Sequence, residues 1–358
     1  MPLKPHQDSP LKNTNHCSEI SKERSSHATV LVSILNWNGL PDTLDCIARI
    51  APSEGSTWDI VVIDNGSTQD PCLELKAQYP AIECIRLSHN IGFTGGQNIG
   101  MQLAIDRGYT SVLLLNNDCE IDPKTIDKLQ THLQSNAQFA AVSPLVYCTE
   151  QRDKPQMVAA WFDWPKHRSA RPSQPDAPQP PSAPTMLAGT ALLLRCAALQ
   201  QIGLLDNRYF AYYEDNDISA RIHQQGWLAS YCQTAKVWHS SRPTHAYSEM
   251  ALYLSARNAW LFWQTHTPSK LRHGLFRHLL AQSLYEIALL KKAGADAKCS
   301  AVVAGFWAAR KQQFGPPPAT FNSPVWLNWL MCVAPYLGYD LLNNLSEAIR
   351  LRLLGRDK

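Results

Sequence analysis

The chain has 358 residues, 45% of them hydrophobic and 18% charged, with a net charge of +3; a packed core is expected, and the charge gives no global case for nucleic acid as a partner. Its ten cysteines are scattered with no C-x-x-C pair, neither a zinc framework nor a small disulfide scaffold, which favours a reducing compartment. Residues 1–28 hold no apolar stretch of a secretory leader, and no run reaches the roughly 18 to 20 apolar residues of a spanning helix, so a cytoplasmic place is expected.

Residues 1–27 are rich in Lys, Ser, Asn and His without periodicity and read as a disordered tail. The first predicted strand, 29–35, ends in Asn36-Trp37-Asn38-Gly39, and Pro41 opens a helix over 42–50. The second strand, 58–63, ends in Asp64-Asn65-Gly66-Ser67, and a helix follows over about 71–78. A third strand, 82–87, ends near Asn90, and the loop 91–100 leads into a helix that Gly108 stops. The fourth strand is the apolar run Val112–Leu115, which gives way to Asn116, Asn117 and Asp118. Alternating strands and helices with short connections predict a mostly parallel sheet flanked by helices, an α/β fold.

A buried strand has no use for polar residues until it leaves the sheet, and ligands of open α/β sheets bind beyond the strands' carboxyl ends. Asn36 and Asn38, Asp64 and Ser67, Asn90, and Asn116 with Asp118 all stand at such ends. One such cluster is a turn; four at one edge make a site. A carboxylate beside two amides suits Mg²⁺ or Mn²⁺ shared with a diphosphate. The plainer reading is a polar strand-to-helix turn, with Asp118 or Asp122 as a helix cap.

A helix over about 123–134 and a strand over 141–147 come next, then a proline-rich insert over 171–184. An apolar strand at 185–195 carries Gly189-Thr190, either a close approach to a ligand or a bulge. Four aromatics, Tyr209, Phe210, Tyr212 and Tyr213, then precede the densest acidic cluster, Glu214, Asp215 and Asp217, at the first turn of a helix ended by Gly226. Acids favour helix N-termini because of the dipole; aromatics beside them point instead to a partly desolvated cleft. Successive helical residues point about 100° apart, so the three acids cannot all face one acceptor. His239, after an apolar strand, is either a structural histidine or a nitrogen ligand for the same cation.

From Lys270 onward, apolar helical stripes carry basic flanks. Residues 325–338 are uncharged and hold Trp326, Trp329 and Tyr336, with Pro335 interrupting. They fit an interfacial segment or a helix packed on the rest of the protein, and Arg350, Arg352 and Arg356 follow.

These motifs, in this order, resemble the family 2 glycosyltransferases of the GT-A fold, in particular their rhamnosyltransferase-like branch. The resemblance covers about residues 28–265 as the catalytic domain, leaving 266–358 as a C-terminal helical region. It rests on Asn36-Trp37-Asn38, on Asp64 to Ser67, on Asn90 to Asn98 with Gly95 and Gly96, on Leu115 to Asp118 and on Tyr213 to Ile218. It implies inverting sugar transfer from a nucleotide-diphosphate sugar to a glycan or lipid-linked acceptor, in cell-surface polysaccharide assembly. Asp64 would meet the nucleobase, with Asn36, Asn38, Asn65, Ser67, Asn90, Gly95, Gly96, Asn98, Asn116 and Asn117 lining the donor site. Asp118 and His239 would hold the divalent cation, and Asp215 would be the base, with Glu214 and Asp217 beside it. Asn116 stands where the family's metal motif carries its first acid.

Other classes fit less well. A nicotinamide dehydrogenase wants G-x-G-x-x-G after the first strand, where this chain has Asn36-Trp-Asn-Gly. A nucleotidyltransferase would want a Gly-rich basic loop there. A nucleotide-sugar-binding protein without transfer would not need Asp118 and Asp215 together.

Overall fold

The computed structural model describes residues 28–157, 160–170, 184–240, 248–333 and 335–340. The expected tail, residues 171–183 of the proline-rich insert, and Arg350, Arg352 and Arg356 lie outside them. The chain divides into two units. The first comprises the residues up to 161, 170–210 and 214–241; the second comprises 162–169, 211–213 and everything from 242.

The first unit begins β1 (Val30–Asn36), α1 (Leu40–Ile50), β2 (Trp58–Asp64), α2 (Cys72–Gln78), β3 (Glu83–Arg86), α3 (Gly92–Asp106) and β4 (Ser111–Asn116). It continues with β5 (Cys119–Ile121), α4 (Pro123–Gln134), β6 (Phe139–Cys148), β7 (Pro155–Met157), then β8 (Ala160–Asp163) and β9 (Arg168–Ala170), each with residues in both units, and β10 (Thr185–Met186). β11 (Ala191–Arg195), α5 (Cys196–Ile202), α6 (Glu214–Gln224) and β12 (Leu228–His239) complete the series. The main sheet has the order β3-β2-β1-β4-β11-β6-β12-β5, with β7 on β6.

Its strands alternate between two faces, as their pleat requires. Leu31, Val61, Ile63, Val112 and Leu114 pack with Ile99, Leu103, Leu199, Ile218 and Ile222 of α3, α5 and α6. Val30, Val32, Ile60, Val62, Leu113 and Leu115 pack with Ile47, Ile50, Leu75, Ile126 and Leu129 of α1, α2 and α4. Both faces are therefore covered, which is why these strands read as near-continuous apolar runs. β1 runs parallel to β2 and β4, and β2 parallel to β3. Registers of Asn36 with Asp64, Asp64 with Arg86, and Leu35 with Asn116 bring the polar exits to one edge.

The sheet as a whole is mixed. β11 runs antiparallel to β4 and β6, β12 parallel to β6, and β5 antiparallel to β12. Apolar periodicity marks burial and carries no direction, so this half was not legible beforehand. The strand expected over 185–195 is two pieces, because the backbone leaves the ladder at Leu187–Thr190. The loop expected over 91–100 is mostly helix: α3 starts at Gly92. Cys72 and Cys84, twelve residues apart, are joined as a disulfide between α2 and β3. No pairing was expected from cysteine spacing, and the adjacency arises only because α2 packs beside β3.

The second unit is helical: α7 (Glu249–His266), α8 (Leu275–Lys292), α9 (Asp296–Arg310) and α10 (Val325–Val333). α7, expected within the catalytic domain, groups here because it packs along α9. The approach is close, since a Cβ on Gly305 would collide with the Tyr253 carbonyl oxygen. Asn258 is fully buried, and its Nδ2 donates to the carbonyls of Ala211 and Tyr212, each at 2.8 Å. Among the described residues no helix is long and apolar enough to cross a membrane.

Candidate active site

At the exit edge of the parallel strands the polar side chains form one closed network. Asn36, fully buried, donates from Nδ2 to Asp64 Oδ1 (2.8 Å) and Ser67 Oγ (3.2 Å). Its Oδ1 accepts from Thr43 Oγ1 (2.9 Å) and the Gly39 N–H (3.3 Å). Asp64, also fully buried, accepts from Ser67 Oγ (2.5 Å) and the Ser67 N–H (3.3 Å), and Arg86 Nε lies 3.5 Å away. The oxygens of Asp64, expected to meet a nucleobase, are thus already engaged inside the protein. Burying a carboxylate is tolerable only with such partners.

Asn38 has φ 55°; its N–H donates to Ser67 Oγ, and its Oδ1 accepts from the Thr68 N–H. Asn65 donates to Asn90 Oδ1 and the Gly92 carbonyl, both at 3.0 Å, and accepts from the Ile91 N–H. Gly66, at φ 72°, lies against the His89 backbone, where any side chain would collide. The network therefore joins the exits of β1, β2 and β3. Arg86, which also pairs with Asp70 at 2.7 Å and donates to the Ser67 carbonyl, was missed from sequence. It is the charged residue that ends β3, the same signal that marked Asn36 and Asp64. Trp37, between the two asparagines, is 43% exposed at the rim.

Three expected donor-site residues are turned inward. Asn98 donates to the Leu205 carbonyl and Asn207 Oδ1, and accepts from the Leu205 N–H. Gly95 and Gly96 are buried within α3, where a side chain would strike Ile91 and Leu35. Gly96 lets α3 approach β1 at Leu35, and Gly95 makes room for Ile91 at the start of α3. Asn117 Nδ2 likewise donates to Thr43 Oγ1 (3.0 Å) and the Gly39 carbonyl (3.1 Å), while Asn116 gives its N–H to the Thr190 carbonyl.

Asp118 follows on the turn between β4 and β5. Pairing of β12 with β5 sets His239 opposite Cys119, so that His239 Nε2 lies 3.2 Å from Asp118 Oδ1. Gln156 Oε1 is 3.0 Å from His239 Nδ1. With Nδ1–H given to Gln156, Nε2 points its lone pair at a carboxylate, and only a proton or a cation between them makes that contact favourable. Among the described residues no group of three or more His, Cys, Asp and Glu could hold a metal. The pair suits a divalent cation that takes the rest of its shell from phosphate and water.

The acidic turn is built differently. Phe210, Tyr212 and Tyr213 have φ of 65°, 69° and 73°, a region that costs bulky residues roughly 1–3 kcal/mol each. The Phe210 carbonyl is held by the Thr94 N–H at 3.1 Å, and Gly92 is packed so tightly on Phe210 that a Cβ would collide. Glu214 opens α6. It is buried, and its Oε2 has no hydrogen-bond partner among the described residues. Burial, and then the charge of Asp215, push its carboxyl up to about 8. Burial also raises Asp215, against the pull of N–H groups on its carboxylate: Gly189 at 3.1 Å and Asn216 at 2.7 Å. Asp215 is thus the acid better equipped to carry charge. Asp217 is turned away, accepting from Arg221 Nε (2.8 Å) and Tyr209 Oη (3.4 Å). Arg221 also donates to the carbonyls of Ile202, Gly203 and Leu204. Both oxygens of Asp217, expected beside the base, are thus engaged within the protein.

The two halves of the site meet through Gly189-Thr190. Gly189 N–H reaches Asp215, and the Thr190 carbonyl accepts from Asn116 at the end of β4. The glycine has a positional reason: its Cα faces the Asp215 side chain, and a Cβ there would sit 3.3 Å from Asp215 Cβ.

Residues 29–203 match the family model described as glycosyl transferase family 2. An N-acetylglucosaminyl-diphospho-decaprenol L-rhamnosyltransferase of Mycobacterium tuberculosis is 26% identical over 201 residues, 50% of this chain and 66% of that protein. The low-salt glycan biosynthesis hexosyltransferase Agl10 of Haloferax volcanii is 25% identical over 236 residues, 64% of this chain and 74% of that protein. The crystal structure of S. aureus TarS superposes with a TM-score of 0.52 at 12% identity, covering 88% of this chain and 55% of that one, a likeness of fold alone. The chain carries a domain of glycosyltransferase family 2, and its fold is of the GT-A type.

Proposed function

We propose that this glycosyltransferase moves rhamnose or a similar sugar, with inversion, from a nucleotide-diphosphate sugar to a hydroxyl of a glycan or lipid-linked acceptor. Its setting is cell-surface polysaccharide assembly, at the inner face of the cytoplasmic membrane. The observation that carries the reading is the link through Gly189-Thr190, which ties an ionisable, N–H-supported carboxylate to the strand exit that bears Asp118.

Asp215 accepts the proton of the acceptor hydroxyl as its oxygen bonds to the anomeric carbon. The bond from that carbon to the diphosphate breaks on the opposite face, and the electron pair leaves with the diphosphate. Asp118 and His239 would hold Mg²⁺ or Mn²⁺, which when bound neutralises charge on the departing diphosphate. Asn36, Asp64, Ser67 and Arg86 set the nucleotide end as one preorganised unit. Asn38, Asn65 and Asn90 shape the loop above it. Glu214, its carboxyl raised by burial and by Asp215, holds its proton the more tightly and leaves the charge on Asp215. The mycobacterial relative's name specifies a diphospho-decaprenol acceptor, which supports a lipid-linked acceptor here.

The test is single-turnover transfer with Asp215→Asn alongside donor binding by calorimetry. Donor affinity near that of the unmodified protein, with transfer lost, supports the assignment. Transfer at the unmodified rate refutes it.

A further inference from the structure

α10 carries apolar residues on every side. Leu327 and Met331, 6% and 3% exposed, face inward. Val325, Trp326, Trp329, Leu330 and Val333 face outward at 59–86% exposure, and Tyr336 and Leu337 extend the stripe at 45% and 71%. A helix apolar all round is normally enclosed on all sides, and an exposed apolar stripe of this length marks an interaction surface. No Asp, Glu, Lys, Arg or His occurs between Lys311 and Asp340.

Two lysines lie beside the stripe. Lys311 Nζ lies 4.9 Å over the Trp307 ring, whose edge meets Trp326 at 6.4 Å. Lys291, paired with the exposed Asp296 at 3.8 Å, shares with that acid and with Trp329 and Val333 the wall of a cavity of about 570 Å³. Residues 248–358 hold 13 Lys and Arg against six Asp and Glu, a net +7; residues 1–247, with 20 against 24, carry −4. The exposed apolar stripe thus lies in the positively charged part of the chain. Trp and Tyr on an apolar face with lysines at its margin is the arrangement of a helix lying in a lipid–water interface.

We propose that the outer face of α10 lies in an anionic lipid surface, with Trp326, Trp329, Leu330 and Val333 among the acyl chains and Lys291 and Lys311 on the lipid phosphates. The charge selects this occupant. A second copy would bring an equally positive face, and residues 341–358, with four basic side chains against two acidic ones, carry the same sign. The proposal deepens the membrane part of the functional reading, and its test uses no transfer activity, so either can fail alone.

The experiment is flotation of the full chain with phosphatidylcholine vesicles containing or lacking phosphatidylglycerol. The protein is expected to float with the anionic vesicles, less so at high salt. Trp329→Ser/Leu330→Ser/Val333→Ser removes only outward side chains and should weaken partition by about tenfold or more. Lys311→Gln should weaken it by about fivefold. Equal partition of the triple variant and the unmodified chain would overturn the proposal. So would retention of the unmodified chain in the soluble fraction: dimers that the triple variant abolishes would make the face a contact between copies, and monomers would assign its cover to the chain's own later residues.

Discussion

Two parts of the site bury carboxylates in opposite ways. At the strand exits, Asp64 is fully enclosed and its oxygens are engaged by Ser67 and Asn36, with Arg86 beside it. At the first turn of α6, Glu214 is also buried, yet one oxygen has no partner among the described residues, and Phe210, Tyr212 and Tyr213 before it hold left-handed backbone. The satisfied network is rigid and low in energy, a platform. The unsatisfied turn stores cost, and stored cost at a cleft is where chemistry is expected. Within the second unit, Asn258 gives its Nδ2 hydrogens to the Ala211 and Tyr212 carbonyls.

The largest expected effect tests the exposed member of the strand-exit edge. Asp118 is the acid there that the network does not consume, and its carboxylate is 37% exposed beside His239. Asp118→Ala should abolish transfer, a loss of roughly three decades or more, and a chelator should do the same to the unmodified protein. Full activity in excess chelator would remove the cation from the scheme. His239→Ala should raise the cation concentration needed for half-maximal rate, measured by Mn²⁺ titration.

Next comes the turn itself. Asp215→Asn keeps shape and removes basicity, so the chemical step should fall by about two to four decades with donor affinity little changed. Asp217→Asn should instead lower stability, because Arg221 loses its charge partner. If Asp217→Asn slowed transfer in a stable protein while Asp215→Asn did not, the roles drawn from their partners would be reversed.

The platform should respond in stability. Asp64→Ala leaves Asn36 Nδ2, Ser67 and Arg86 without their shared acceptor, and urea unfolding should show a loss of about 2–3 kcal/mol. Weaker donor binding would follow from the displaced Arg86 and Ser67. An Asp64→Ala protein of unchanged stability would mean that the network is not the rigid element claimed.

The platform was legible in sequence and the turn only partly so. A buried strand excludes polar residues until its exit, so Asn36, Asp64 and Asn116 announced an edge before any pairing was known. Helical angle alone sets Asp215 and Asp217 on different sides of α6, and Asp217 meets Arg221 four residues on. Asn98 was not legible, since its partners stand 107 and 109 residues away. Gly95 and Gly96 argued for a loop, and packing against Ile91 and Leu35 overrode that local preference. The left-handed backbone at Phe210, Tyr212 and Tyr213 had no signal, because bulky aromatics are the residues least expected there.

The smallest effect concerns the neutral acid. The Glu214 carboxyl is raised to about 8 by burial and by Asp215, from an ordinary 4.5. Below the ordinary value both folded and unfolded chains keep the proton. Between the two values the unfolded chain releases it and the folded chain holds it, so stability falls as pH rises through this window and levels off above about 8. Glu214→Gln replaces the neutral acid with a neutral amide and lacks this linkage. Its stability relative to the unmodified chain should therefore climb between about pH 5 and about pH 8, reaching a gain on the order of 1–3 kcal/mol. Transfer should stay within about tenfold, since the amide leaves the charge on Asp215. Urea midpoints across that window measure the first, and single-turnover rates the second. Parallel stability curves would mean that Glu214 ionises as readily in the folded chain as in the unfolded one, and the contrast between a paired and an unpaired buried acid would no longer describe this site.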